Sequence, residues 1–315
     1  MNTRDNDFLW VERYRPHTVK DTILPDRLKS IFQNYVDNKE IPNLMLCGGP
    51  GTGKTTVARA MCDEIGMNYL FINSSEERGI DILRTKIRAY ASTVSLTGGK
   101  KVIILDEADY LTPEAQAALR GAIEEYSSNC TFILTNNFKS RLIEALHSRC
   151  SVVDFSLKRD EKQEMAAQLF KRMQTILTKE NVVYDKTVLV KIIEKYFPDY
   201  RRTLNEIQRF SNSGSLDAGI VSQLSDIRKI GDLVKHLKDK NFGEMRKWVV
   251  VNSDIDAASI YRKIYDSLVE SFKPESIPLA VVTIAKYQYQ SAFVADQEVN
   301  LVACLTELMV ECEFI

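Results

Sequence analysis

The chain has 315 residues, of which 44% are hydrophobic and 27% charged, with a formal net charge of −1. That length exceeds one compact core and implies two or three domains, and the composition excludes disordered and fibrous classes. The near-zero charge confines any nucleic-acid surface to a local patch, and the lack of a long apolar run excludes a transmembrane helix.

The N-terminal stretch Met-Asn-Thr-Arg-Asp-Asn-Asp lacks a signal core, so a cytoplasmic location is expected (host cytoplasm if the source is viral). Further on, apolar β-prone runs fall at 43–47, 69–73, 102–106, 132–136 and 152–155. Helical patterns lie between them near 54–65, 79–91 and 113–126, the last opening on Pro113. Strand–helix alternation with continuous apolar strands predicts an α/β fold with a parallel sheet covered on both faces. After Phe155 the spacing is helical: Met165, Leu169, Met173 and Ile176, then Val188, Ile192, Ile193 and Tyr196. Asn212-Ser-Gly-Ser reads as a loop, and the remainder is again helical, through Leu233, Leu237, Ile260, Ile264, Leu301, Leu305 and Leu308. Three domains are expected, at 1–156, 157–224 and 225–315.

The six cysteines (Cys47, Cys62, Cys130, Cys150, Cys304, Cys312) form no Cys-x-x-Cys pair and the histidines are scattered. Buried free thiols are therefore expected rather than structural zinc or a disulfide framework.

Residues 48–56 read Gly-Gly-Pro-Gly-Thr-Gly-Lys-Thr-Thr and fit the phosphate-binding pattern Gly-x4-Gly-Lys-Thr. Gly48, Gly49, Gly51 and Gly53 let backbone N–H groups approach phosphate oxygens, and Pro50, Thr52 and Thr56 complete the segment. The loop feeds a helix N-terminus, which favours anions. Lys54 is expected on the β- and γ-phosphates of ATP and the Thr55 hydroxyl on Mg²⁺. The competing reading is a glycine-rich turn with a chance lysine, and the strand before and helix after disfavour it. The run at 102–105 ends in Asp106-Glu107. Asp106 fits a metal-side carboxylate and Glu107 a group that polarises the attacking water. An apolar strand ending in two carboxylates is common by itself; paired with the phosphate loop it implies an ATPase.

Asp106-Glu107-Ala108-Asp109, Thr135-Asn136-Asn137-Phe138 and Ser148-Arg149-Cys150 resemble the clamp-loader branch of the AAA+ ATPases. So do Trp10-Val11-Glu12-Arg13-Tyr14-Arg15-Pro16 and Pro198-Asp199-Tyr200-Arg201-Arg202-Thr203-Leu204-Asn205. The branch includes replication factor C small subunits, and the likeness is strongest to the large, ATPase subunits of T4-type bacteriophage loaders. It covers residues 8–220 well and the rest only in helical character. The resemblance implies an AAA+ P-loop domain with a five-stranded parallel sheet, a small helical lid and an all-helical collar. It implies a sensor at Asn137, with Asn136 as the other register. It makes Arg149 an arginine finger that enters the neighbouring subunit's ATP site, and Arg201, with Arg202 as the other register, a second sensor. Val11, Tyr14, Arg15, Pro16 and Ile23 align with an adenine pocket, although core packing is an equally ordinary use for them.

Arg84 and Arg88, four apart on one helix face, together with Arg78 and Arg120 fall where the family tracks a DNA backbone. Glu76, Glu77 and Asp81 keep a plain solvated face in play. Val94 and Leu96 fall where the family docks a sliding clamp. The implied partners are a sliding clamp, primer–template DNA, copies of the chain and a distinct small loader subunit in a five-subunit ring, with no membrane. Two other readings stay open: a ring-forming branch-migration or helicase motor, and a non-catalytic scaffold subunit. Within the first, a two-domain helicase would need a second phosphate loop, and the Ser148-Arg149-Cys150 and Trp10–Pro16 matches speak against a branch-migration motor. The second usually lacks the lysine, glutamate or finger that this chain keeps.

Overall fold

The structure, a computed structural model, describes residues 8–93, 99–212, 215–216, 226–253 and 256–315. It forms two compact units, Met1–Ile220 and Val221–Ile315. The expected α/β segment and all but the last four residues of the expected lid, 157–224, lie within the first.

Five strands build the main sheet of that unit: β1 (Leu44–Cys47), β2 (Tyr69–Asn73), β3 (Lys101–Asp106), β4 (Cys130–Asn136) and β5 (Ser151–Asp154). Their order is β2-β3-β4-β1-β5 and every pairing is parallel. Register pairs Leu44 with Ile133 and Ser151, and Ile104 with Ile133, so β1, β3 and β4 end together at Cys47, Asp106 and Asn136.

Side chains alternate across a strand, and both faces of this sheet are buried. Leu44, Leu46, Val102, Ile104 and Ile133 face α2 (Asp26–Asp37) and α3 (Lys54–Ile65), where they meet Leu28, Phe32, Val57 and Met61. Met45, Ile103, Leu105, Phe132 and Leu134 face α4 (Ile80–Ala91) and α5 (Pro113–Glu125), packing on Leu83, Ile87, Leu119 and Ile123. Thr112 starts α5 by accepting from Ala115 N at 3.3 Å, with Pro113 in the first turn. Short α6 (Glu144–His147) leads into β5.

The lid consists of α7 (Glu161–Lys179), α8 (Lys186–Tyr196) and α9 (Tyr200–Ser211), with a two-residue parallel pair, Val183–Tyr184 against Ser215–Leu216. Met165, Leu169, Met173, Ile176, Ile192 and Ile207 are buried there, as the helical spacing predicts. The N-terminal strap, with α1 at Trp10–Arg13, is held by this lid. Trp10 N donates to Gln208 Oε1 (3.0 Å), and Gln208 Nε2 donates to Phe8 O (2.7 Å). Arg13 and the Tyr14 hydroxyl both bond Glu180, at 2.7 and 2.5 Å.

In the second unit, the described residues form helices Asp226–Lys238, Phe242–Val251, Ala257–Ser271, Ile277–Gln290 and Gln297–Glu311. Their core includes Leu233, Met245, Tyr261, Ile264, Phe272, Leu301, Leu305 and Leu308. All six cysteines are free and buried, in keeping with the expected inert thiols. Among the described residues no helix is long and apolar enough to cross a membrane.

Candidate nucleotide-binding and catalytic site

The glycine loop leaves β1 after Cys47 and ends where α3 begins at Lys54. Gly51 (φ +69°) and Gly53 (φ +93°) hold left-handed backbone that a side chain would strain. Gly51 has a second reason to be glycine: a Cβ there would lie 1.8 Å from Asp199 Oδ1. Asp199 is the cap of α9, accepting from Arg202 N (2.9 Å), and Tyr200 N donates to Gly51 O (3.1 Å). The start of α9, which carries Arg201, is thus seated on the loop.

Lys54 lies almost fully buried above it, 7% exposed. Its Nζ donates to Gly48 O and Gly49 O, both at 2.7 Å, and to Asn137 Oδ1 at 3.0 Å. Burial pulls its pKa below the usual lysine value, against the opposing pull of Asp106 and Asp109. Thr55 Oγ1 donates to Asp106 Oδ1 at 2.5 Å and Thr135 Oγ1 to the same oxygen at 2.6 Å. Thr135 Oγ1 also accepts from Glu107 N (3.1 Å), which fixes the peptide that follows the metal-side carboxylate. Glu107 itself sits at φ +54°, a left-handed conformation for a non-glycine residue. Such strain persists where its surroundings hold it and is concentrated at functional sites.

These groups face a cleft of about 1150 Å³. Residues 50–56 of the loop, Asp106, Glu107 and Asn137 line its polar end. Val11, Tyr14, Arg15, Pro16 and Ile23 also line it, as does Arg201 from the lid. Arg202 is not among the lining residues and instead covers the Tyr196 ring at 5.0 Å, so geometry favours the Arg201 register. Asn136 lines the cleft too, but it is 1% exposed within β4, whereas Asn137 bonds Lys54 directly. Gly49 is not among the lining residues; its carbonyl accepts from Lys54 and from Thr52 Oγ1 (2.9 Å).

Thr22, Leu24, Thr135, Arg172, Met173, Ile176, Tyr200 and Leu204 also line the cleft, and sequence reasoning did not assign them to it. Met173 and Ile176 belong to the periodic apolar face of α7, which reads as lid core; they are core and cleft wall at once. Tyr200 was within reach, because it sits beside Arg201 in the quoted motif. Tyr14 stays neutral at ordinary pH: burial, helped by its bond to Glu180, pushes its phenol up to about 12.

Arg149 lies outside the cleft lining. Its Nε donates to Glu124 Oε1 and its Nη1 to Ala145 O, each at 2.8 Å, and Nη2 meets the same Glu124 oxygen. Arg84 and Arg88 are exposed on α4, and Arg120 is exposed on α5. Arg78 Nε donates to Ser75 O (2.8 Å), with its guanidinium 5.2 Å from the Tyr110 ring centre. Glu77 is paired with Lys86 at 2.7 Å, which offsets one acid near these arginines. Val94 and Leu96 lie outside the described residues.

Residues 44–157 match the family model of the ATPase family associated with various cellular activities (AAA). Residues 161–222 match that of the sliding-clamp-loader large subunit, AAA+ ATPase lid domain. The chain is 32% identical over 319 residues to the sliding-clamp-loader large subunit of Enterobacteria phage T4, covering 100% of this chain and 99% of that protein. The chain belongs to the clamp-loader family of AAA+ ATPases. The replication factor C small subunit of Archaeoglobus fulgidus is a further member at 32% identity, with 96% and 98% of the two chains covered. A solved structure of the Thermotoga maritima RuvB Holliday junction branch migration motor shares the fold: TM-score 0.52 and 16% identity, over 71% of this chain and 78% of that one. That likeness is one of fold alone and gives the branch-migration reading no functional support.

ATP hydrolysis is the activity of this clamp-loader ATPase. The residues present fit a magnesium nucleotide. Left-handed Gly51 and Gly53 shape a cradle, and the Thr55 hydroxyl and Asp106 carboxylate set two hard oxygen donors 2.5 Å apart. Among the described residues no three His, Cys, Asp or Glu side chains cluster as metal ligands. A cation here would depend on the phosphates and water for most of its shell, as magnesium commonly does.

Proposed function

We propose that this clamp-loader ATPase acts as one of several subunits in a five-subunit ring, with copies of itself and a distinct small subunit. The ring opens a sliding clamp and closes it around primer–template DNA during replication, in the cytoplasm of the cell that makes it. The observation that carries this reading is the connected set Lys54–Asn137 and Thr55–Asp106–Thr135–Glu107 N in a cleft shared by the α/β core and the lid.

Each residue then has a task. Lys54 exchanges the Gly48 and Gly49 carbonyls for β- and γ-phosphate oxygens. Thr55 and Asp106 would hold Mg²⁺, which would supply neutralisation of the phosphate charge. Glu107 takes the proton of the attacking water, and Asn137 orients that water from the other side. Arg201 reads the γ-phosphate from the lid, so nucleotide state becomes lid position. Arg149, held away from its own cleft, serves the neighbouring subunit and couples turnover to assembly. Arg78, Arg84, Arg88 and Arg120 line an inner face that tracks the DNA backbone, without sequence preference and with strong salt dependence. The segment with Val94 and Leu96 meets the clamp, and the second unit, residues 225–315, is the collar that holds the ring.

The test is steady-state ATP turnover of the loader with its clamp and small subunit, without DNA, with blunt duplex and with primed single-stranded DNA. Primed DNA should stimulate turnover strongly, and Arg149→Ala should bind ATP yet not respond. Equal rates on all three substrates would overturn the reading.

A further inference from the structure

We propose that Glu124 is a positioning residue for the Arg149 finger, setting the orientation in which that guanidinium meets the neighbouring subunit's ATP. The inference rests on the reading of Arg149 as a finger supplied in trans.

The geometry is specific. Arg149 follows the short α6 helix, its own N–H bonding Leu146 O at 3.1 Å, and precedes buried Cys150 and β5. Its backbone is therefore fixed, but its long side chain has to be aimed by something else. Nε and Nη2, the two nitrogens along one edge of the guanidinium, both donate to one oxygen, Glu124 Oε1, the first at 2.8 Å. Nη1 donates to Ala145 O at 2.8 Å and lies 3.2 Å from Ser148 Oγ. All three nitrogens thus meet fixed acceptors, one from α5 and two from the α6 turn, and contacts from two elements define the plane of the group. A finger acts by placing charge at one point in the transition state, and an arginine free to sample its rotamers would have to be ordered at each turnover.

The pair's contribution is positional rather than structural. Glu124 is 57% exposed and Arg149 29% exposed, and ion pairs this open to water add little to folding stability. Glu124 also sits one turn beyond Arg120 on α5, so the two share a helix face. The helix that holds the finger is thereby the helix that carries an exposed cation proposed to meet the DNA backbone.

The experiment compares wild type, Glu124→Ala, Glu124→Gln, Arg149→Ala and the double variant Glu124→Ala/Arg149→Ala in the assembled loader on primed DNA. Thermal unfolding of each chain serves as the fold control. Glu124→Ala should lower kcat by about tenfold or more, the scale expected for a misplaced catalytic group. Its KM for ATP should stay within about twofold, since the lost interaction acts in the transition state. Glu124→Gln keeps an acceptor oxygen and should recover most of the rate. The double variant should be no slower than Arg149→Ala, because both changes remove one function. A Glu124→Ala loader at or above the wild-type kcat, or a Glu124→Gln loader as slow as Glu124→Ala, would overturn the proposal while Arg149→Ala remains inactive. Wild-type turnover by Arg149→Ala would instead overturn the finger reading beneath it.

Discussion

Lys54 concentrates the chemistry of the cleft into one side chain. It is a buried cation whose hydrogen bonds, among the described residues, go to two loop carbonyls and an amide, with Asp106 and Asp109 acting on it only through space. A cation so placed is incompletely compensated and gains most from an anion. Lys54→Ala should weaken ATP binding by about 2–3 kcal/mol, the scale of a charge-assisted hydrogen bond, or roughly a hundredfold in Kd. Titration with a fluorescent ATP analogue checks it. The same burial has a pH signature in the ligand-free protein. The folded-state pKa lies below the ordinary 10.5, so the unfolded chain holds the Lys54 proton more tightly. Stability therefore rises with pH between the lowered folded value and 10.5. Wild type should gain stability relative to Lys54→Met as pH climbs from 8 towards that limit, read from urea midpoints at each pH. An unchanging difference would mean that Lys54 is not desolvated. At this scale the sequence is legible where a motif fixes the spacing, as for Lys54, Thr55 and Asp106. It places the sensor at Asn137 only through the resemblance, with Asn136 as the other register, whereas the fold buries Asn136 in β4 and bonds Asn137 to Lys54.

At the level of elements, the strands are legible because a doubly covered parallel sheet demands continuous apolar runs, and few other arrangements do. The boundaries shift slightly: β4 begins at Cys130, ahead of the apolar run at Phe132, because Thr131 is buried in the ladder despite its hydroxyl. The lid wall of the cleft is not legible, since an apolar helix face looks the same whether it packs on protein or on a nucleotide base. The link from strap to lid is hidden for a different reason: Trp10 and Gln208 lie 198 residues apart in sequence. One helix carries a local weakness that can be tested. Gly121 lies inside α5, where a Cβ would meet nothing within 4 Å. Glycine costs a helix interior about 1 kcal/mol relative to alanine, so Gly121→Ala should raise folding stability by about that amount. A higher denaturant midpoint with an unchanged slope would confirm it.

For the whole molecule, the division into two units keeps the nucleotide cleft apart from a second helical core. Every residue lining the cleft lies between Val11 and Leu204, within the first unit. The second unit completes its own core with residues from Leu233 to Cys312. It nevertheless leaves large apolar side chains in water: Val282 is 65% exposed, Tyr289 72% and Phe293 74%. Val282 and Tyr289 are seven residues apart on the helix Ile277–Gln290 and so share a face, and Phe293 extends it, its ring centre 5.3 Å from that of Tyr289. Large apolar side chains gathered on one exposed helix face are a feature of partner-binding surfaces. Under the proposed collar role, that partner would be the neighbouring subunit. The double change Val282→Asp/Tyr289→Glu places two like charges in such a contact and should weaken self-association or assembly with the small subunit by about tenfold or more. Sedimentation velocity over a concentration series with ATP present measures this. ATP binding per chain should be unchanged, because no cleft residue is touched. Turnover on primed DNA should fall with the assembled fraction, because each finger needs a neighbour's site. Loss of turnover at full assembly would assign the stripe to another contact, and unchanged assembly would place the collar interface on a different face of these helices.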